Sequence, residues 1–269
     1  MGPMRASELL TADSATRPDG AAPAATLVDA LRATVRLTLF TAGLLVAFVA
    51  VAAGRALLVT APRAVGERFG VAMLHLFMRF GAWVFGVRVF TQGPLPPRGS
   101  LIVANHRSYL DAVALASVTP TTFLAKREVA SWPVMGLGAR IAGVVFVDRG
   151  DASSREAAGG ELVARVERGA TVVNFPEGTT TREPRPLPFR AGLFRRVAGR
   201  NVTVVPARID YDDPQACWTG DDSFVPHLVG VATRRRTVVR LRFSPALRAH
   251  DLVPSELLRR SYEAVDRLP

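Results

Sequence analysis

A single cysteine, Cys217, stands in the 269 residues. That count excludes an internal disulfide framework and any multi-cysteine zinc or iron–sulfur centre, and it fits a reducing compartment. Lysine is nearly missing as well. Lys126 is the only one, so 33 of the 34 basic residues are arginine, and against 23 acidic residues they leave a formal charge of +11. Arginine suits bidentate contact with phosphates. The composition therefore points to a nucleic acid, a phospholipid surface or a phosphorylated substrate, without choosing among them. No apolar run starts near Met1, as a cleaved secretory signal would require. There is no H-E-x-x-H and no G-x-S-x-G, and the lone lysine follows Ala125 rather than the glycine of a P-loop. His75, His227 and His250 are widely scattered, so no metal cluster is expected.

What is present begins with hydrophobicity. Apolar residues make up 49% and charged residues 21%, enough to bury a core. The length suits one large domain with a short appendage. Residues 1–30, rich in Ala, Thr, Pro, Gly and Asp, read as a flexible arm. Leu37 to Gly54 then runs without a charge between Arg36 and Arg55. As a helix it would be roughly 27 Å long, close to the roughly 30 Å of a bilayer's hydrocarbon core. In Val71 to Val89, by contrast, Met73, Leu76, Phe77, Phe80, Trp83 and Val84 recur at helical spacing while Arg79 and Arg88 interrupt. The two stretches predict a membrane-associated helical hairpin over 31–89.

Beyond about Phe90 the texture becomes α/β. The runs 100–105, 121–125, 143–148, 170–175 and 202–209 read as strands with buried faces. Ser153 and Glu156 have the spacing of a capping box opening a helix that Gly169 closes. HLVGVAT (227–233) and TVVRLRF (237–243) read as further, antiparallel edge strands. The expected fold of 90–269 is a layered mixed sheet flanked by helices.

Four polar clusters follow predicted strand ends, where α/β sheets place reactive groups. The first is Asn105-His106-Arg107-Ser108-Tyr109-Leu110-Asp111. A carboxylate five positions on lies about 140° round an ideal helix. The pair can meet only if His106 precedes the helix and Asp111 sits in its first turns, which would leave the other ring nitrogen free as a base. Taken alone, H-x4-D is better read as a capping histidine and an unrelated aspartate, because such pairs occur by chance. The second cluster is Phe175-Pro176-Glu177-Gly178-Thr179-Thr180-Thr181-Arg182. Its turn could cradle a phosphate or be an ordinary polar loop. Asp148-Arg149 and Lys126-Arg127-Glu128 complete the set, with a surface ion pair and a solvated helix start as their plain readings. One parallel-type sheet would bring all four to a single rim.

In this order and at these intervals NHRSYLD, GVVFVDR, FPEGTTTR and VVPARI resemble the four blocks of the glycerolipid acyltransferases, over roughly residues 85–245. The likeness is greatest to the bacterial 1-acyl-glycerol-3-phosphate acyltransferases. The resemblance implies His106 as general base and Asp111 as its orienting partner. It implies that Glu177, Gly178 and Thr179 shape the acceptor pocket and that Arg149 and Arg182 bind its phosphate, with Lys126 assisting. It also implies a lysophospholipid acceptor, an acyl-CoA or acyl carrier protein donor, no resident cofactor, no nucleic acid, and an anionic bacterial inner membrane with the site on its cytoplasmic face. The expected product is phosphatidic acid, with lyso-ornithine lipid or another lysophospholipid as the alternative acceptor. One departure bears on that choice: Thr180 stands where the third block often carries arginine. A non-catalytic, membrane-binding protein using Arg234, Arg235, Arg236, Arg240 and Arg242 is the remaining alternative.

Overall fold

A computed structural model describes residues 26–131, 135–148, 150–220 and 222–268. The arm expected over 1–30 lies outside these up to residue 25. Thr26 and Asp29 then form a reciprocal cap for the long helix α1 (Leu27–Leu57), so 27–30 are helical. Helix α2 (Arg63–Val84) folds back on α1. The packing is close because Gly43 and Gly54 leave room for the rings of Phe80 and Phe69, which a Cβ at either glycine would strike. His75, on α2, hydrogen-bonds the carbonyl of Ala116 through Nδ1 (2.6 Å). Helix α1 is long and apolar enough to cross a membrane by length and composition, and only 6% of its apolar window is buried. Leu31, Val35, Leu39, Val46 and Val49 are 42–69% exposed along its outer face.

The strands are β1 (Val87–Gln92), β2 (Ser100–Ala104), β3 (Thr122–Lys126), β4 (Val145–Val147), β5 (Val172–Asn174), β6 (Thr203–Tyr211), β7 (Thr237–Phe243) and β8 (Leu247–Arg248). They form one mixed sheet in the order β1-β7-β6-β2-β5-β3-β4, with β8 on β6. The central run β6, β2, β5, β3 and β4 is parallel. Strands β7 and β8 oppose it, as does β1 through its parallel pairing with β7. Strand β7 is antiparallel to β6 as expected, but it is interior: β1 pairs with it in parallel and takes the edge. The helical spacing predicted to run to Val89 stops at Val84, and β1 takes its last residues.

Alternation along the strands separates two cores. Ile102, Ala104, Val173, Val205 and Ile209 face Ala82, Phe85 and Leu115, on the side of α1, α2 and α3 (Leu110–Val118), with the short α4 (Met135–Ile141) packed on α1. Leu101, Val103, Val172 and Val204 face Leu162, Phe194 and Leu257 on α5 (Ala152–Glu167), α6 (Gly192–Val197) and α8 (Pro254–Arg267). The cap of α5 is Asp151, whose carboxylate accepts from the Ser153 and Ser154 amides. Glu156 turns instead to Arg196. HLVGVAT forms a helix, α7 (Phe224–Thr233), rather than a strand. A short apolar run carries no period of its own, and here docking against α1 and the sheet decides its form.

Candidate active site

Because β2, β3, β4 and β5 are parallel, their C-terminal ends share one rim. His106 follows β2, Lys126 ends β3, Asp148 follows β4 and Glu177 follows β5. Strand β6 runs beyond the end of β2, and Asn105 fastens the two there: its Nδ2 donates to the Ile209 carbonyl (2.9 Å) and its Oδ1 accepts from the Ile209 amide (2.7 Å). This holds the loop carrying His106 against the last residues of β6.

His106 lies in the turn before α3 and Asp111 in its first turn, the one arrangement that lets an H-x4-D pair meet. Nδ1 of His106 is 2.8 Å from Asp111 Oδ2. The same oxygen accepts from the amides of Arg107 (2.6 Å) and Ser108 (3.0 Å), and Oδ1 accepts from the Tyr211 hydroxyl (2.5 Å). Asp111 is 0% exposed. Four donors on a buried carboxylate fix its orientation. With Nδ1–H given to that carboxylate, Nε2 carries the imidazole lone pair. The ring is further held by stacking on Phe175, with centroids 4.0 Å apart and planes 10° from parallel.

The third-block loop closes onto this pair. Glu177 Oε1 accepts from the His106 amide (3.2 Å), and the Thr181 amide donates to the His106 carbonyl (3.0 Å). Glu177 is buried and, among the described residues, its Oε2 has no hydrogen-bond partner. Burial pushes its carboxyl up to about 7, against the opposing pull of the His106 and Leu187 amides. Gly178 has φ +73°, and a Cβ there would stand 2.7 Å from the Arg190 guanidinium. Arg182 is 55% exposed and held by Asp222 (2.7 Å). Arg149 lies outside the described residues. Cys217 is buried, with its thiol raised by that burial.

A cavity of about 580 Å³ opens onto His106. It runs between the helical pair and the sheet rim, with Phe40, Leu44, Met73 and Phe77 on its hydrophobic side and Thr179, Thr180 and Lys126 at its polar end. Its size suits a small lipid rather than a macromolecule. Tyr211, Phe175 and Trp218 were given no role from sequence. Tyr211 ends the strand of the fourth block, and only pairing of β6 with β2 brings it to Asp111.

An oriented histidine thus stands at the strand ends of a mixed α/β sheet and faces a mostly apolar cavity. Residues 86–210 match the acyltransferase family model. The chain is 35% identical over 186 residues to a lyso-ornithine lipid O-acyltransferase of Pseudomonas aeruginosa, covering 67% of this chain and 71% of that one. It is 33% identical over 157 residues to a 1-acyl-sn-glycerol-3-phosphate acyltransferase of Neisseria gonorrhoeae, covering 58% and 61%. The crystal structure of the 1-acyl-sn-glycerophosphate acyltransferase PlsC from Thermotoga maritima superposes with a TM-score of 0.62 at 21% identity, over 88% of this chain and 95% of that one. The N-terminal helical pair is part of this shared fold. The chain belongs to the glycerolipid acyltransferase family and is an acyltransferase.

Proposed function

We propose that the protein transfers a fatty acyl chain from acyl-CoA or acyl carrier protein to the free hydroxyl of a lyso-lipid, with His106 as base. The observation that carries this reading is the His106–Asp111 pair, its Nε2 left free on the wall of an apolar cavity. His106 Nε2 takes the hydroxyl proton as the oxygen attacks the thioester carbonyl. The tetrahedral intermediate then expels the thiolate, which recovers the proton from the imidazolium. Products are the ester and the free thiol, so no acyl-enzyme is needed. Such general base catalysis contributes about 10²–10⁴-fold, and the rest falls to holding hydroxyl and thioester together.

For the acceptor, lyso-ornithine lipid is the favoured reading. It is supported by the name and wider coverage of the Pseudomonas relative. It is supported also by Arg182, the cation expected to hold a phosphate, which is already paired with Asp222. An ornithine head carries a carboxylate and an amine and needs no phosphate site. Lys126 on the cavity wall supports 1-acyl-glycerol-3-phosphate as the second reading. The long apolar α1 and the excess of basic residues support an anionic inner membrane as the enzyme's location. A thioester made in the cytosol requires the site on the cytoplasmic face.

Thiol release from acyl-CoA, with each acceptor supplied separately, tests both parts. Turnover with lyso-ornithine lipid that falls by about 10²–10⁴ in His106→Ala, with the melting temperature retained, is the expected result. Turnover with 1-acyl-glycerol-3-phosphate alone would reverse the acceptor assignment. Unchanged turnover in the variant would remove His106 from the mechanism.

A further inference from the structure

Helix α7 presents to solvent a face that nothing among the described residues covers. Val225 is 65% exposed, Val229 is 39% exposed, and Pro226 between them is exposed too. At 100° per residue these three fall within an arc of about 100°. The whole helix, FVPHLVGVAT, contains no Asp, Glu, Lys or Arg. Its opposite side is occupied: Phe224 and Leu228 line the cavity, and Val231 and Ala232 belong to the core.

The neighbour of α7 is α1. Arg32 and Arg36 donate to the carbonyls of Ala232, Thr233, Arg234 and Arg235, and Ala33 packs in the same core as Val231 and Ala232. Further along, Phe40 and Leu44 of α1 share the cavity wall with Phe224 and Leu228. The two helices therefore lie side by side over the apolar first half of α1, whose outer face exposes Leu31, Val35 and Leu39. Just past the end of α7 stand Arg235 and Arg236, both exposed. The exposed apolar face of α7 thus belongs to a helix packed beside α1, whose own outer face is apolar, and two exposed cations follow it in the chain.

We propose that α7 is a further bilayer-contacting element. Its Val225–Val229 face enters the acyl–headgroup boundary beside α1, Arg235 and Arg236 meet anionic headgroups, and lipid chains reach the cavity between the two helices. The inference rests on the membrane association read above. At ten residues α7 spans about 15 Å, half of what a bilayer crossing needs, so it lies in the interface and does not span it. A surface helix facing water has polar residues outward; α7 has valine and proline there. With Phe224 and Leu228 on the cavity side, one short helix would serve as both a lipid contact and a wall of the entrance.

Depth measurement by spin labelling decides it without reference to catalysis. In the full chain carrying Cys217→Ser, a nitroxide is attached at Val225→Cys, at Val46→Cys on the outer face of α1, and at Arg267→Cys on α8. The protein is bound to vesicles of phosphatidylethanolamine and phosphatidylglycerol. The expected result is that position 225 relaxes preferentially with oxygen, as position 46 does, whereas position 267 responds to an aqueous nickel complex. A label at 225 that behaves like 267 while 46 is in lipid would overturn the role of α7 alone. Aqueous behaviour at both 46 and 225 would overturn the membrane reading with it. A second variant uses no label: V225S with V229S should lower turnover of a vesicle-borne long-chain acceptor by about tenfold and leave a monomeric short-chain acceptor unchanged. Equal loss on both acceptors would assign the valines to packing instead.

Discussion

The hydroxyl of Tyr211 donates to Asp111 Oδ1 at 2.5 Å, across 100 residues of chain. Both side chains sit in the shell behind His106. The bond occupies the oxygen that His106 does not use, so the carboxylate has no freedom to rotate. Tyr211 is thereby a positioning residue. Its own proton is held firmly, since burial and the adjacent carboxylate raise its ionisation well above the ordinary tyrosine value. Replacing it by phenylalanine should lower kcat by about tenfold with KM nearly unchanged, because an orienting contact is lost and no substrate contact is. Steady-state kinetics beside a thermal melt separates this from general destabilisation. A KM change with kcat intact would place Tyr211 in substrate binding.

Glu177 makes stability pH-dependent in a defined direction. Its carboxyl is raised from 4.5 to about 7 by burial. The folded state therefore holds a proton that the unfolded state releases between those values, and this group's contribution falls as pH rises from about 4.5 to 7. Glu177→Gln has no such proton. The stability difference, variant minus wild type, should grow over that window by up to about 3 kcal/mol and be flat above it. Denaturant melts at pH 5, 6, 7 and 8 give the curve; a constant difference would contradict the burial argument.

Arg182 and Asp222 bear on acceptor choice. If the head of the acceptor is not a phosphate, Arg182→Ala should change kcat/KM for lyso-ornithine lipid by less than about threefold, as expected for an exposed ion pair. With 1-acyl-glycerol-3-phosphate the same variant should lose more. Asp222→Asn, which releases the guanidinium, should improve turnover of the phosphate-bearing acceptor. Parallel assays on both acceptors read the contrast directly.

Gly178→Ala tests the third-block turn. The residue needs φ +73°, a region that costs an alanine about 1–2 kcal/mol, and the new methyl would press on Arg190. The melting temperature should fall, and activity should fall further, because Glu177 and Thr181 on either side anchor the His106 backbone. Wild-type activity in a folded G178A protein would show that the loop tolerates another conformation.

Local order was legible wherever short-range physics is sufficient. The buried strands β2 to β6 are runs of β-branched and apolar residues, and the apolar stretch 37–54 lies within α1. The His106–Asp111 geometry was restricted by helix periodicity alone to the single arrangement found. Elsewhere local signals competed. The cap of α5 belongs to Asp151 because its carboxylate reaches two free amides, while Glu156, which completes the Ser153 pattern, finds an arginine from α6. Strand β1 escaped notice because its partner, β7, lies 150 residues away in sequence.

By itself the sequence determined the buried strands, the polar clusters that follow them and the family to which the chain belongs, since these rest on residue type and spacing. Only the tertiary structure decided that HLVGVAT is a helix, that Tyr211 completes the shell of Asp111, and that Arg182 is neutralised by Asp222. Each of these depends on contacts between segments far apart in the chain. Such contacts override weak local preference and leave no mark in any short window of sequence.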